Sequence, residues 1–163
     1  MSVFGFTPEQ HQKLHDVVHG ILNIPVFYGF QEKSRPDKPF CVVRPLSPLT
    51  VETRQFYRSL DEDGERTYII HKSGIFMFII YADLESDGLT NLLEERLRTK
   101  KVYDALFSSG LQYRGIHNKE TRTYMLSNRT ESRGILSVDF AVASTMKEND
   151  VDVIDGISIE SEI

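Results

Sequence analysis

Apolar positions follow two periods along this chain, one of about 3.6 residues and one of two. The densest stretch is Ser73–Asp83, where Ile75, Met77, Ile79 and Tyr81 alternate with Phe76, Phe78, Ile80 and Ala82. An extended chain there is apolar on both faces. Its β-branched and aromatic residues and its shortness predict a strand over about 74–82, covered on both sides. Amphipathic helices elsewhere in the chain supply one cover. The lack of an evident second cover is a physical argument for assembly.

Helical spacing appears in two places. Thr7-Pro8-Glu9-Gln10 combines a cap, a proline suited to the first turn and a capping-box glutamine. Leu14, Val17, Val18, Ile21 and Leu22 follow, and Pro25 stops the run, which predicts a helix over about 8–22. The second begins at Ser86 or Asp87 and carries the stripes Leu89/Leu92/Leu93/Leu97 and Val102/Tyr103/Leu106/Phe107, with a bend at Lys100-Lys101 and a stop at Gly110.

The remaining segments predict strands. Ile24–Phe30 is a short edge strand, and Gln31–Pro39 is a loop. Phe40–Arg44 is a strand that Pro45 and Pro48 push toward an edge. Val51–Arg58 and Arg66–Lys72 form the arms of a β-hairpin around an Asp63-Gly64 tip. Tyr113–His117 and Thr121–Ser127 are two short strands joined at Asn118-Lys119, and Gly134–Ser144 alternates cleanly. The fold class is therefore α+β: a mainly antiparallel β-sheet with two main helices packed on one face, plus a projecting β-hairpin.

Length and charge refine this picture. The 163 residues suit one domain, read as 1–146 with the hairpin arm at about 51–72, followed by an acidic extended arm at 147–163. The formal charge of −5 arises wholly after residue 145, where six acids face Lys147 alone. The rest is formally neutral, so no global basic field attracts nucleic acid. The N-terminal residues predict no secretory signal, and no apolar run is long enough for a membrane span.

Candidate chemistry is sparse. His11, His15 and His19 recur at helical spacing, a pattern able to hold a metal, but no third ligand type accompanies them and a solvated helix face is the simpler reading. Cys41, the single cysteine, lies in a predicted strand and suits a buried structural thiol. Asp61, Glu62, Asp63 and Glu65 do not follow a calcium-loop spacing. No nucleophile elbow or phosphate-cradling glycine loop is present, so the chain is expected to be no enzyme and to need no cofactor. Arg44, Arg54, Arg58, Arg66 and Lys72 stand among Phe56, Tyr57 and Tyr68 near the hairpin, which suits a protein–protein patch or, alternatively, nucleic-acid binding.

A family resemblance adds to these readings. Pro39-Phe40-Cys41-Val42-Val43-Arg44, then Tyr81-Ala82-Asp83, the leucine-rich helix, Gly115-Ile116, Arg133 to Phe140 and the acidic Asp152–Glu160 follow one another in that order. The order resembles the tail terminator (neck or tail-completion) proteins of tailed bacteriophages. The resemblance implies a subunit of a hexameric ring in the virion, assembled in the host cytoplasm. Such a ring caps the head-proximal end of the tail tube, ends tail growth and meets the head connector, with DNA only in transit through its lumen. It implies partners in the tail tube protein, the head-completion protein and other copies of itself. A head-completion or minor tail protein is the neighbouring alternative, and a nucleic-acid-binding module or a His-metal protein the more distant ones. On this reading Val51, Phe56, Tyr57, Tyr68, Ile70, Val151, Val153, Ile157 and Ile159 are expected at the inter-subunit interface. Asp150, Asp152 and Asp155 are expected to face the lumen or solvent.

Overall fold

A computed structural model of the chain describes residues 5–29, 36–51, 57–60, 66–84, 86–127 and 129–148, with side chains described except at 57–60, 66–69, 126 and 144–148. The elements run α1 (Pro8–Leu22), β1 (Val26–Tyr28), β2 (Phe40–Pro45), β3 (Thr50–Val51), β4 (Tyr57–Leu60), β5 (Arg66–Ala82), α2 (Ser86–Leu97), α3 (Lys100–Phe107), β6 (Leu111–Leu126) and β7 (Arg129–Glu148). The class is α+β, as the pattern of the chain predicts. The strands are ordered β1-β2-β5-β7-β6, with β3 and β4 paired to β5. β2 with β5, β4 with β5 and β6 with β7 pair antiparallel, and β1 runs parallel to β2.

Two compact units share the chain: Met1–Thr50 with Ser73–Val142, and Val51–Lys72 with Ala143–Ile163. In the first, α1 forms where the capping residues place it. The Gln10 amide donates to Thr7 Oγ1 at 3.2 Å, and the Thr7 amide donates back to Gln10 Oε1 at 3.0 Å. Gln10 Nε2 also donates to the Ser109 carbonyl at 3.2 Å, which ties the start of α1 to the turn after α3. Leu14, Val18 and Leu22 then join Phe76, Phe78 and Ile80 of β5 and Leu136, Val138 and Phe140 of β7 in one buried cluster. Phe6 stacks obliquely on Phe76 at 4.5 Å, and Phe76 meets Phe140 edge-on at 5.8 Å. Leu93, Leu97 and Leu106 close the same layer from α2 and α3. In the second unit, β4 and β5 pair from Tyr57↔Ile69 to Leu60↔Arg66.

Four expectations about elements need correction. The hairpin arm and the central strand are one strand, β5, because Ser73-Gly74 stays extended. The long second helix is two, since Thr99 adopts an extended conformation at the N-cap position of α3 and its hydroxyl donates back to the Arg96 carbonyl at 2.7 Å. The proline-ended strand β2 is interior rather than an edge. β1 pairs with Cys41 to Val43 and the Gly29 amide donates to the Val43 carbonyl, so Pro45 lies beyond the reach of β1 and its missing N–H costs no ladder bond there. Finally, the two short strands supposed to join at Asn118-Lys119 are the single strand β6.

Candidate assembly surfaces

The residues that shape the surface of the first unit belong largely to β6. Register shifts lie between Tyr113 and Gly115 and between Ile116 and Asn118, so Arg114 and His117 are extra residues in the ladder. Each bulge resets the alternation. Leu111, Tyr113, Ile116, Lys119 and Thr121 lie opposite Val142, Phe140, Val138, Leu136 and Gly134, and so line the helix side despite their irregular spacing. From Asn118↔Ser137 to Leu126↔Arg129 the ladder is regular. Its helix side is polar: Lys119 Nζ reaches Glu94 Oε2 at 2.6 Å, and the Thr121 hydroxyl donates to Asp87. Thr90 donates to the Ser86 carbonyl at 2.6 Å directly over Gly134, where a side chain would collide with that hydroxyl. Among the described residues no strand pairs with the far edge of β6, and Lys119, Thr121, Arg122, Thr123 and Met125 are exposed.

On the face of the sheet away from the helices, Glu131 is fully buried. Its carboxylate lies 3.0 Å from Lys38 Nζ and 2.7 Å from an Arg133 guanidinium nitrogen, which balances a charge that burial alone would make costly. The Arg133 guanidinium sits 4.2 Å from the Tyr124 ring centre and 5.0 Å from that of Tyr81. This cluster links β5, β6, β7 and the segment before β2. Nearby, Ile75, Met77 and Tyr81 remain half-buried although Ile79 between them is buried, whereas Phe76, Phe78 and Ile80 on the helix side are sealed. The two faces of the central strand are thus unequally covered.

The histidines of α1 do not converge on a common point. His11 meets the rings of Phe6, Tyr28 and Phe76, while His15 stacks on His19 at 6.2 Å. Both ring nitrogens of His15 already face acceptors, Asp16 Oδ1 at 3.1 Å and the Val26 carbonyl at 3.0 Å. The bond from His15, followed by that from Gln12, lowers the Asp16 carboxyl below its ordinary value. A cleft of about 460 Å³ beside them is lined by Pro8, His11, His15, Tyr28 and Pro45. Burial pushes the Tyr28 hydroxyl well above its usual range, and this hydroxyl donates to the His11 carbonyl at 2.7 Å. Cys41 is fully buried and its thiol is pushed up to about 12 by burial, which makes it the structural cysteine that its setting predicts. Among the described residues no group of three His, Cys, Asp or Glu side chains could hold a metal.

The expected interface residues are placed only in part. Val51 is exposed at the end of β3, and Ile70 is half-buried on β5. Tyr57 lies opposite Ile69 and Tyr68 opposite Arg58, so the two tyrosines are not cross-strand partners. Phe56, Val151, Val153, Ile157, Ile159, Asp150, Asp152 and Asp155 lie outside the described residues. Sequence reasoning passed over the Glu131 cluster and the β6 edge. The signal for the edge was available in Lys119, Thr121 and Thr123, polar at alternate positions where a covered strand would be apolar.

An open edge at β6 and a partly covered sheet face give the described residues surfaces that suit assembly. A family model for the phage neck terminator protein matches residues 11–163, and the chain belongs to that family. It is thereby a structural protein of the phage neck, in keeping with the resemblance carried by its sequence. No curated protein matches the chain. Among solved structures, a chain of "Virion of native gene transfer agent (GTA) particle" is similar at a TM-score of 0.37 and 10% identity, covering 83% of this chain and 92% of that one.

Proposed function

We propose that the protein forms a ring, a hexamer, that caps the head-proximal end of the phage tail tube, ends its growth and joins it to the head connector. The observation that carries this reading is the family match over residues 11–163, nearly the whole chain. The unequal cover of β5 supports it, because a neighbouring subunit is a natural second cover for Ile75, Met77 and Tyr81. Head-to-tail contacts between unlike patches close into rings. Its partners are other copies of itself, the tail tube protein and the head-completion protein, with assembly in the host cytoplasm. Val51, Tyr57, Tyr68 and Ile70 contribute to subunit contacts, and Asp150, Asp152 and Asp155 remain at a surface open to the lumen or to solvent.

The protein acts by occupying a place rather than by catalysis. Cys41→Ser, and His15→Ala combined with His19→Ala, are expected to leave particle assembly intact. Native mass spectrometry of the purified chain, alone and with tail tube protein, tests the ring. A closed hexamer supports the reading, and a monomer under both conditions overturns it. In phage lacking the protein, tails of unregulated length and unjoined heads are expected. Normal joined particles would refute the assignment.

A further inference from the structure

We infer that the far edge of β6 is the acceptor for the acidic C-terminal segment of a second copy, which adds there as a strand. This inference rests on the ring reading and specifies how neighbours are held.

The acceptor is an open edge of regular geometry. Asn118 to Leu126 form nine consecutive ladder positions with β7, and nothing described pairs on their other side. Natural sheets protect such edges with bulges, charges or cover. Here the bulges at Arg114 and His117 stop short of Asn118, so this stretch keeps its unpaired backbone donors and acceptors in line. Its own segment is basic in sequence: Arg114, Lys119, Arg122 and Arg129 stand against the single acid Glu120 between Leu111 and Arg129, with Lys119 paired to Glu94 of α2 and Arg122 to Glu120 in exposed ion pairs that an incoming acid can exchange.

The occupant complements it in charge, pattern and length. Asp150, Asp152, Asp155, Glu160 and Glu162 carry the charge opposite to that of the edge. Val151, Val153, Ile157 and Ile159 share one parity of an extended chain, interrupted at Asp155, over a stretch as long as the regular part of β6. The chain beyond Glu148 has fifteen residues, able to span about 50 Å when extended. That exceeds the roughly 30 Å of a nine-residue strand. Donor segment and acceptor edge are unlike patches, so each copy gives one and receives one, as a closed ring requires.

Cysteine pairing between two differently tagged full-length chains tests this directly. One chain carries Thr123→Cys. The other carries Val151→Cys, Val153→Cys, Ile157→Cys or Ile159→Cys in turn, to cover the possible registers. Cys41 does not compete, being fully buried with its thiol pushed up to about 12. The expected result is a disulfide between the two tags from at least one pairing, formed only in assembled mixtures. Rings seen by native mass spectrometry that yield no cross-link from any of the four overturn the inference and leave the ring reading standing. A cross-link that forms within one doubly substituted chain at monomeric dilution overturns it by showing that the segment returns to its own edge. A chain that forms no oligomer overturns both. As a charge test, Arg122→Glu should weaken association by about tenfold, and Asp152→Arg in the same chain should recover part of that loss. A loss without recovery from Asp152→Arg or Asp150→Arg counts against the pairing.

Discussion

β5 between Ser73 and Ala82 and the strand β6 belong to one sheet, yet physics treats them oppositely. The first has a strand on each side and a helix layer over Phe76, Phe78 and Ile80. The second has a strand on one side only, bulges at Arg114 and His117, and salt bridges and hydroxyls in place of much of an apolar helix-facing surface. α2 spans both regimes. Its Leu93 and Leu97 enter the core, while Asp87, Thr90, Asn91 and Glu94 form a polar stripe toward β6 and β7. The central strand therefore specifies the fold through burial, and the edge strand is left soluble, charged and available. A subunit that must be stable alone and still bind its neighbours needs both.

The contrast breaks most easily at the core. Phe78→Ala removes a fully buried ring from the core cluster and is expected to cost about 3–5 kcal/mol in urea unfolding. A loss below about 1 kcal/mol would mean that the helix layer does not hold β5 as described. Next comes the charged cluster on the opposite face. Glu131→Ala leaves Lys38 and Arg133 without their shared carboxylate and should cost about 3 kcal/mol. Equal stability of wild type and variant would show that the cluster is a surface feature.

Gly134→Ala addresses the junction between the two regimes. The added methyl meets the Thr90 hydroxyl, itself bonded to the Ser86 carbonyl, so a cost of about 1–3 kcal/mol is expected. Thr90→Ala in the same chain removes the obstacle and should recover part of it, giving a coupling above about 0.5 kcal/mol in a double-mutant cycle. Additive effects would place α2 farther from β7 than the collision requires.

Much of this was legible from the residues, for reasons that separate the same two regimes. Thr7, Pro8 and Gln10 announce α1 because a capping box is a local device, and its predicted bounds hold. The Phe76/Phe78/Ile80 alternation announces the core face of β5, because burial and period coincide there. β6 was misread as two strands because each bulge shifts the phase of alternation, a tertiary feature that no window of residues displays. Pro45 misled in the same way, since its tolerance depends on how far β1 extends. Glu131 looks like a surface acid in a polar run. The approach of Lys38, remote in sequence, adds to the pairing with Arg133 and makes a fully buried position tenable.

The smallest expected effect is the sharpest probe of the edge. Met125 lies near the end of the regular β6 ladder, opposite Thr130, and is 90% exposed. A side chain so placed contributes almost nothing to the core, so Met125→Ser should change the stability of the dilute chain by less than about 0.5 kcal/mol. It also keeps a residue able to remain in an extended strand. At concentrations where the chain assembles, the same substitution removes apolar surface beside the proposed acceptor edge and should weaken association. Thermal unfolding at two protein concentrations separates the contributions: the midpoints of wild type and variant should coincide when dilute and diverge when concentrated. A midpoint lowered equally at both would mean that Met125 is covered by its own chain, and β6 would then resemble β5 more than its exposed threonines and lysine suggest.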